Sequence, residues 1–112
     1  MINTKEREIL ERYDLEMENK LAKLHEEMRG YMTFGKSSNG LVEARLDING
    51  QVKDIKIDPT FLKEHPELIG QCVTEAINDA TFKASVELEK QESLIVYDYL
   101  RKAITQIEKT NA

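Results

Sequence analysis

One cysteine, two histidines, two prolines and five glycines are all that this 112-residue chain carries of those residue types. Each scarcity closes a route. The single cysteine, Cys72, rules out an intrachain disulfide and points to a reducing compartment. It falls among Ile69, Val73 and Ala76 on one helical face, the setting of a core thiol rather than a reactive one. His25 and His65 lack a Cys, His or paired-carboxylate neighbour at metal-ligand spacing, so no metal site is expected. His25 reads as a solvated side chain, and His65, before Pro66, as part of a helix start. The glycines stand singly, which leaves no phosphate-cradling loop, dinucleotide fingerprint or nucleophile elbow. Carboxylates are plentiful, yet none shows by its spacing that it faces another across a pocket. Neither catalysis nor a cofactor is expected.

Two further absences bear on location and partners. No run approaches the roughly 20 apolar residues that span a bilayer, and the opening MINTKEREIL is charged, unlike a secretory leader. A cytoplasmic protein is expected. The 16 Lys and Arg are outnumbered by 21 Asp and Glu, for a net charge of −5. There is no basic run with interleaved aromatics of the kind that tracks a nucleic-acid backbone. Such a composition describes a solvated surface, although a folded dimer can still gather lysines from two chains into one patch.

What is present is strongly periodic. The chain is 40% apolar and 33% charged, the polar end of the globular range, and its length suits one domain over residues 1–112. Such a chain buries little surface alone, so self-association is expected. Residues 1–30 read as a helix, opened by Asn3 or Thr4 as cap and closed by Gly30 in the left-handed region. Leu10, Tyr13, Met17, Leu21, Leu24, Met28 and Tyr31 recur at three- and four-residue spacing, a narrow stripe that needs a partner helix.

Residues 31–58 change period. YMTFGK gives a short first strand. LVEARLDI then alternates, with Val42, Ala44, Leu46 and Ile48 on one face and Glu43, Arg45 and Asp47 on the other. QVKDIKI returns with Ile55 and Ile57 on the apolar face. Ser38-Asn39-Gly40 supplies the first turn, and Asn49-Gly50 reads as a type I′ turn with both residues at positive φ. A three-stranded antiparallel meander follows. Asp58 caps a short turn over 59–65 that has Pro59 at its first position. A long helix over 66–110 ends the chain, with Ile69, Cys72, Val73, Ala76 or Ile77, Ala80, Ala84 and Leu88 as its first apolar set. A second set (Leu94, Tyr97, Leu100, Ile104 and Ile107) follows a polar stretch, Glu89 to Ser93, that marks either a kink or a continuous helix. The fold class is α+β in the order α-β-β-β-α.

The ordered pattern GLVxAxxxxxGxVxDIxIDPxxL between two long helices resembles the YbaB/EbfC family of bacterial nucleoid-associated proteins. The residues that carry it are Gly40, Leu41, Val42, Asn49, Gly50, Ile55, Ile57, Asp58, Pro59, Leu62, Val73, Ala76, Asn78, Asp79 and Ala80, within residues 5 to 90. The resemblance implies a homodimer formed through the sheets, with projecting helices, that binds duplex DNA with little sequence preference in the nucleoid. It makes the apolar meander face (Val42, Ala44, Leu46, Ile48, Ile55 and Ile57) the expected dimer interface. For DNA contact, charge placement nominates Lys20, Lys23, Arg29 and Lys83. The chain departs from the family in its acidic first helix and in the added amphipathic segment LIVYDYLRKAITQI. That segment supports a second reading: a protein–protein adaptor that does not bind DNA and meets its partner through Leu94, Tyr97, Leu100, Ile104 and Ile107.

Overall fold

The computed structural model describes residues 2–111. Helix α1 (Thr4–Glu27) is followed by a 3-10 turn (Met28–Gly30). Strands β1 (Met32–Lys36), β2 (Val42–Asp47) and β3 (Val52–Ile57) come next, then helix α2 (Pro59–Glu64), a 3-10 turn (Pro66–Leu68) and helix α3 (Ile69–Asn111). The expected α-β-β-β-α order is observed, with strands in the antiparallel order β1-β2-β3. α3 runs unbroken through Glu89–Ser93 as one 43-residue helix, so the polar stretch is a change of neighbours and not an end.

The chain divides into two compact units, residues 2–27 with 89–111, and residues 28–88. In the first unit the distal half of α3 takes α1 as its packing partner rather than the sheet. The Tyr13 and Tyr99 rings meet at a tilt of 59°, 6.4 Å between centroids. His25 Nε2 lies 3.0 Å from Glu92 Oε1, and Asn111 donates to Glu6 across 3.2 Å. These contacts run the two helices antiparallel. The stripe Leu10, Tyr13, Met17, Leu21 and Leu24 is half-buried, and Ile9, which its spacing left out, is buried beside it. Asn3 caps α1 as expected, its Oδ1 accepting the Glu6 amide at 2.8 Å while its Nδ2 donates back to the Glu6 carboxylate.

The second unit is the meander packed on the first five turns of α3. Its core is Val42, Ala44, Leu46, Phe61, Cys72, Ala76 and Ala80, flanked by Ile55, Ile57, Ile69, Val73 and Ile77. Alanines at 76, 80 and 84 leave the helix backbone bare on the sheet side, and Gly35 of β1 fits against it. A Cβ at Gly35 would collide with the Ala76 carbonyl and the Ala80 amide. Thr33 Oγ1 closes the contact by donating to the Ala80 carbonyl at 3.2 Å.

The turns correct two expectations. Gly40 and Gly50 have φ of 74° and 86°, but no non-glycine residue among those described has positive φ, Asn49 included. The second hairpin is therefore not type I′. The Gly50 amide bonds to the Asp47 carbonyl and the Asp47 amide to the Gln51 carbonyl, a three-residue loop with glycine in the left-handed position. Buried Asp47 organises it by accepting from the Asn49 and Gln51 amides at 2.9 and 3.0 Å, which pulls Ile48 out of the strand. A bulge beyond Arg45 then pairs Leu46 with Val52. Gly30, the other correction, sits in the 3-10 turn without positive φ. At Asp58 the expected cap is present, its Oδ1 accepting the Phe61 amide at 2.9 Å.

Candidate nucleic-acid interface

Each nominated cation has its own local setting. Lys20 and Lys23 lie three residues apart on α1, both exposed. That spacing puts them on neighbouring positions of one helix surface. Lys23 makes a long contact of 3.9 Å with Glu27, with both side chains mostly in water, an arrangement that holds the ammonium weakly. Arg29 is exposed in the 3-10 turn and belongs to the sheet-bearing unit, as does Lys83.

Lys83 is engaged. Its Nζ lies 3.0 Å from Asp79 Oδ2 and donates to the Phe34 carbonyl at 3.3 Å. Asp79 Oδ2 also accepts the Lys36 amide at 2.9 Å. That backbone hydrogen bond, and after it the lysine, hold the Asp79 carboxyl below its ordinary range. Lys83 thus fastens the edge of β1 to α3, and reaching a phosphate would mean giving up both interactions.

Strand pairing brings together cations that the linear sequence keeps apart. Lys36 pairs with Glu43 and Glu43 with Lys56, while Phe34 pairs with Arg45 and Arg45 with Asp54. Side chains of paired residues share a face, so Lys36, Arg45 and Lys56 project with exposed Phe34 from the side of the sheet that α3 does not cover. The alternation of β2 was the available signal, since it set Glu43 and Arg45 opposite the core. The partners across the sheet need the strand register, which alternation alone does not fix.

The expected interface face is placed differently. Val42, Ala44 and Leu46 are 0% exposed within the single chain, because α3 covers them with Cys72, Ala76 and Ala80. They belong to the core of the single chain. Ile55 and Ile57 are half-buried against the same core, and Ile48 is half-buried in the turn. The expected protein-contact stripe fares otherwise: Leu94, Tyr97, Leu100 and Ile104 are 51–68% exposed, with Ile107 half-buried. Among the described residues no cluster of His, Cys, Asp and Glu could hold a metal ion, and no helix is long and apolar enough to cross a membrane. Cys72 is buried, its Sγ accepting from Asn39 Nδ2 at 3.6 Å.

The chain is built of two long helices and a small antiparallel meander, with charge spread over exposed faces. Residues 8–98 match the model of the YbaB/EbfC DNA-binding family, and the chain belongs to that family. A nucleoid-associated protein of Rhizobium meliloti (strain 1021) is 37% identical over 81 residues, covering 70% of this chain and 76% of the relative. A nucleoid-associated protein of Acinetobacter baumannii (strain ATCC 17978) is 30% identical over 81 residues, covering 72% of this chain and 74% of its own. The crystal structure of an uncharacterized Helicobacter pylori protein superposes with a TM-score of 0.55 at 21% identity, over 67% of this chain and 88% of that one. It shares the fold.

Proposed function

We propose that the protein is a nucleoid-associated, DNA-binding homodimer that contacts duplex DNA through phosphates, with little base readout. Membership of a DNA-binding family carries this reading, and the nucleoid-associated names of its relatives support it and the nucleoid as location. Lys20 and Lys23 on the open surface of α1 are the phosphate contacts proposed first, because neither is tied to the backbone as Lys83 is. Arg29 is proposed as a further contact. For the homodimer, the groove between β1 and α3 replaces the core face. Tyr31, Phe34, Phe82 and Val86 line it while 41–68% exposed, an apolar cluster of the kind that marks an interface.

Lysine–phosphate contact releases counterions, so affinity falls linearly in log salt with a slope near −0.9 per neutralised phosphate. Fluorescence anisotropy with a mixed-sequence duplex between about 50 and 200 mM salt measures that slope. Charge reversal of Lys20 and Lys23 is expected to reduce its magnitude by about one for each phosphate that is no longer neutralised. Absence of binding at about 50 mM salt, where lysine holds phosphate strongly, would overturn the reading.

The exposed row on the distal half of α3 favours a second reading, an adaptor that meets another protein chain through Leu94, Tyr97, Leu100 and Ile104.

A further inference from the structure

The distal half of α3 has two apolar rows at helical spacing. One, with Tyr99 and the buried Ala103, faces α1. The other is open: Leu94 is 60% exposed, Tyr97 68%, Leu100 51% and Ile104 54%. With Leu100 at the edge towards α1, Leu94, Tyr97 and Ile104 join charged neighbours in the series Lys90, Leu94, Tyr97, Arg101, Ile104 and Glu108, every member exposed. The steps are four, three, four, three and four, the repeat of a helix seam that packs knobs into holes against another helix.

This series is complementary to itself when reversed. Laid antiparallel about Tyr99, Leu94 meets the partner's Ile104, Tyr97 meets the partner's Arg101, and Lys90 meets the partner's Glu108. Each pairing occurs twice across the two-fold. At the two central layers a guanidinium can therefore lie over a phenol ring, apolar meets apolar at the Leu94–Ile104 layer on either side, and the ends close with opposite charges. A parallel alignment would set Lys90 against the partner's Lys90 and Glu108 against the partner's Glu108. We propose that this row is the seat of a second copy of the chain, paired antiparallel through residues 90–108 of α3. It is an isologous contact between the helical units, separate from the groove beside β1 and independent of DNA.

The test uses the full-length chain without DNA, with mass and dissociation constant taken from light scattering and sedimentation equilibrium. Lys90→Glu and Glu108→Lys, each at an exposed position and checked for unchanged circular dichroism, are each expected to weaken self-association by about tenfold or more, because each sets like charges opposite at both ends. The double variant Lys90→Glu/Glu108→Lys restores the opposite pairing and is expected to return association to the wild-type level. Leu94→Lys/Ile104→Lys places charge in the seam and is expected to abolish the contact. Single reversals that leave the mass unchanged, or a wild-type chain monomeric at every concentration, would overturn the proposal. So would a double variant as weak as the single ones, since that excludes the antiparallel register. None of these results depends on whether the protein binds DNA.

Discussion

Asp79 accepts the amide proton of Lys36 at 2.9 Å, so a carboxylate of α3 closes the outer edge of β1. The same carboxylate holds Lys83, whose ammonium donates to the next outward carbonyl, that of Phe34. An edge strand otherwise offers a row of unpaired amides and carbonyls to any other strand. Two side chains one helical turn apart thus engage one amide and one carbonyl of that row and dock the sheet to the helix that bears its core.

Asp79→Ala removes both interactions and is expected to lower the melting temperature and to favour strand-mediated association. The pH dependence has a definite sign. The folded protein holds the Asp79 carboxyl below its ordinary value of 3.8, mainly through the Lys36 amide. Its contribution is therefore complete above that value and is lost as pH falls through the lower folded value. Asp79→Asn should flatten this acid limb. An acid limb of thermal unfolding that is identical in wild type and Asp79→Asn would exclude the linkage.

Gly35 answers to a different constraint, the bare backbone of α3 at Ala76 and Ala80. Its φ is not positive, so any residue could adopt its conformation; space is what is missing. Because backbone atoms define the limit, trimming a neighbouring side chain gives no relief. Gly35→Ala is expected to cost about 1–3 kcal/mol as overpacking, read from denaturant unfolding. A stability within experimental error of wild type would show that the sheet can move off the helix.

The two Asn-Gly pairs separate what the sequence makes legible from what it does not. Strand alternation and the glycine positions are local, and they locate the meander, both turns and the Asp58 cap. The conformation of Asn49 is not local. It depends on buried Asp47 drawing in the amides of Asn49 and Gln51, which selects a three-residue loop over a two-residue one. The destination of each apolar face is likewise hidden. Val42, Ala44 and Leu46 read as a surface awaiting a second chain until α3 is placed over them. In the distal half of α3, two rows share the same spacing, and only the position of α1 decides which is buried.

Substitution distinguishes the hairpin types. Gly50 at φ 86° should resist a side chain, and Gly50→Ala is expected to cost about 1–2 kcal/mol, the steric penalty of the left-handed region. Asn49 lacks positive φ and is exposed, so Asn49→Ala should stay within about 0.5 kcal/mol. In a type I′ turn both residues would need positive φ. Comparable losses at the two positions in urea unfolding would therefore contradict the observed loop.

Removing the chain after Gln91 tests what holds α1. That helix has 24 residues and one principal apolar stripe, and its named partners Tyr99, Glu92 and Asn111 all lie beyond the cut. Helical stability in proteins comes mainly from packing an amphipathic face, and isolated helices of modest length are marginal in water. The truncated chain is therefore expected to lose roughly twice the helical signal of the deleted residues alone, as α1 melts with its partner gone. Hydrogen exchange should meanwhile show β1, β2 and β3 still protected, because the core from Val42 to Ala80 lies within residues 28–88. Protection of α1 amides that survives the truncation would mean that something other than the distal half of α3 orders the first helix.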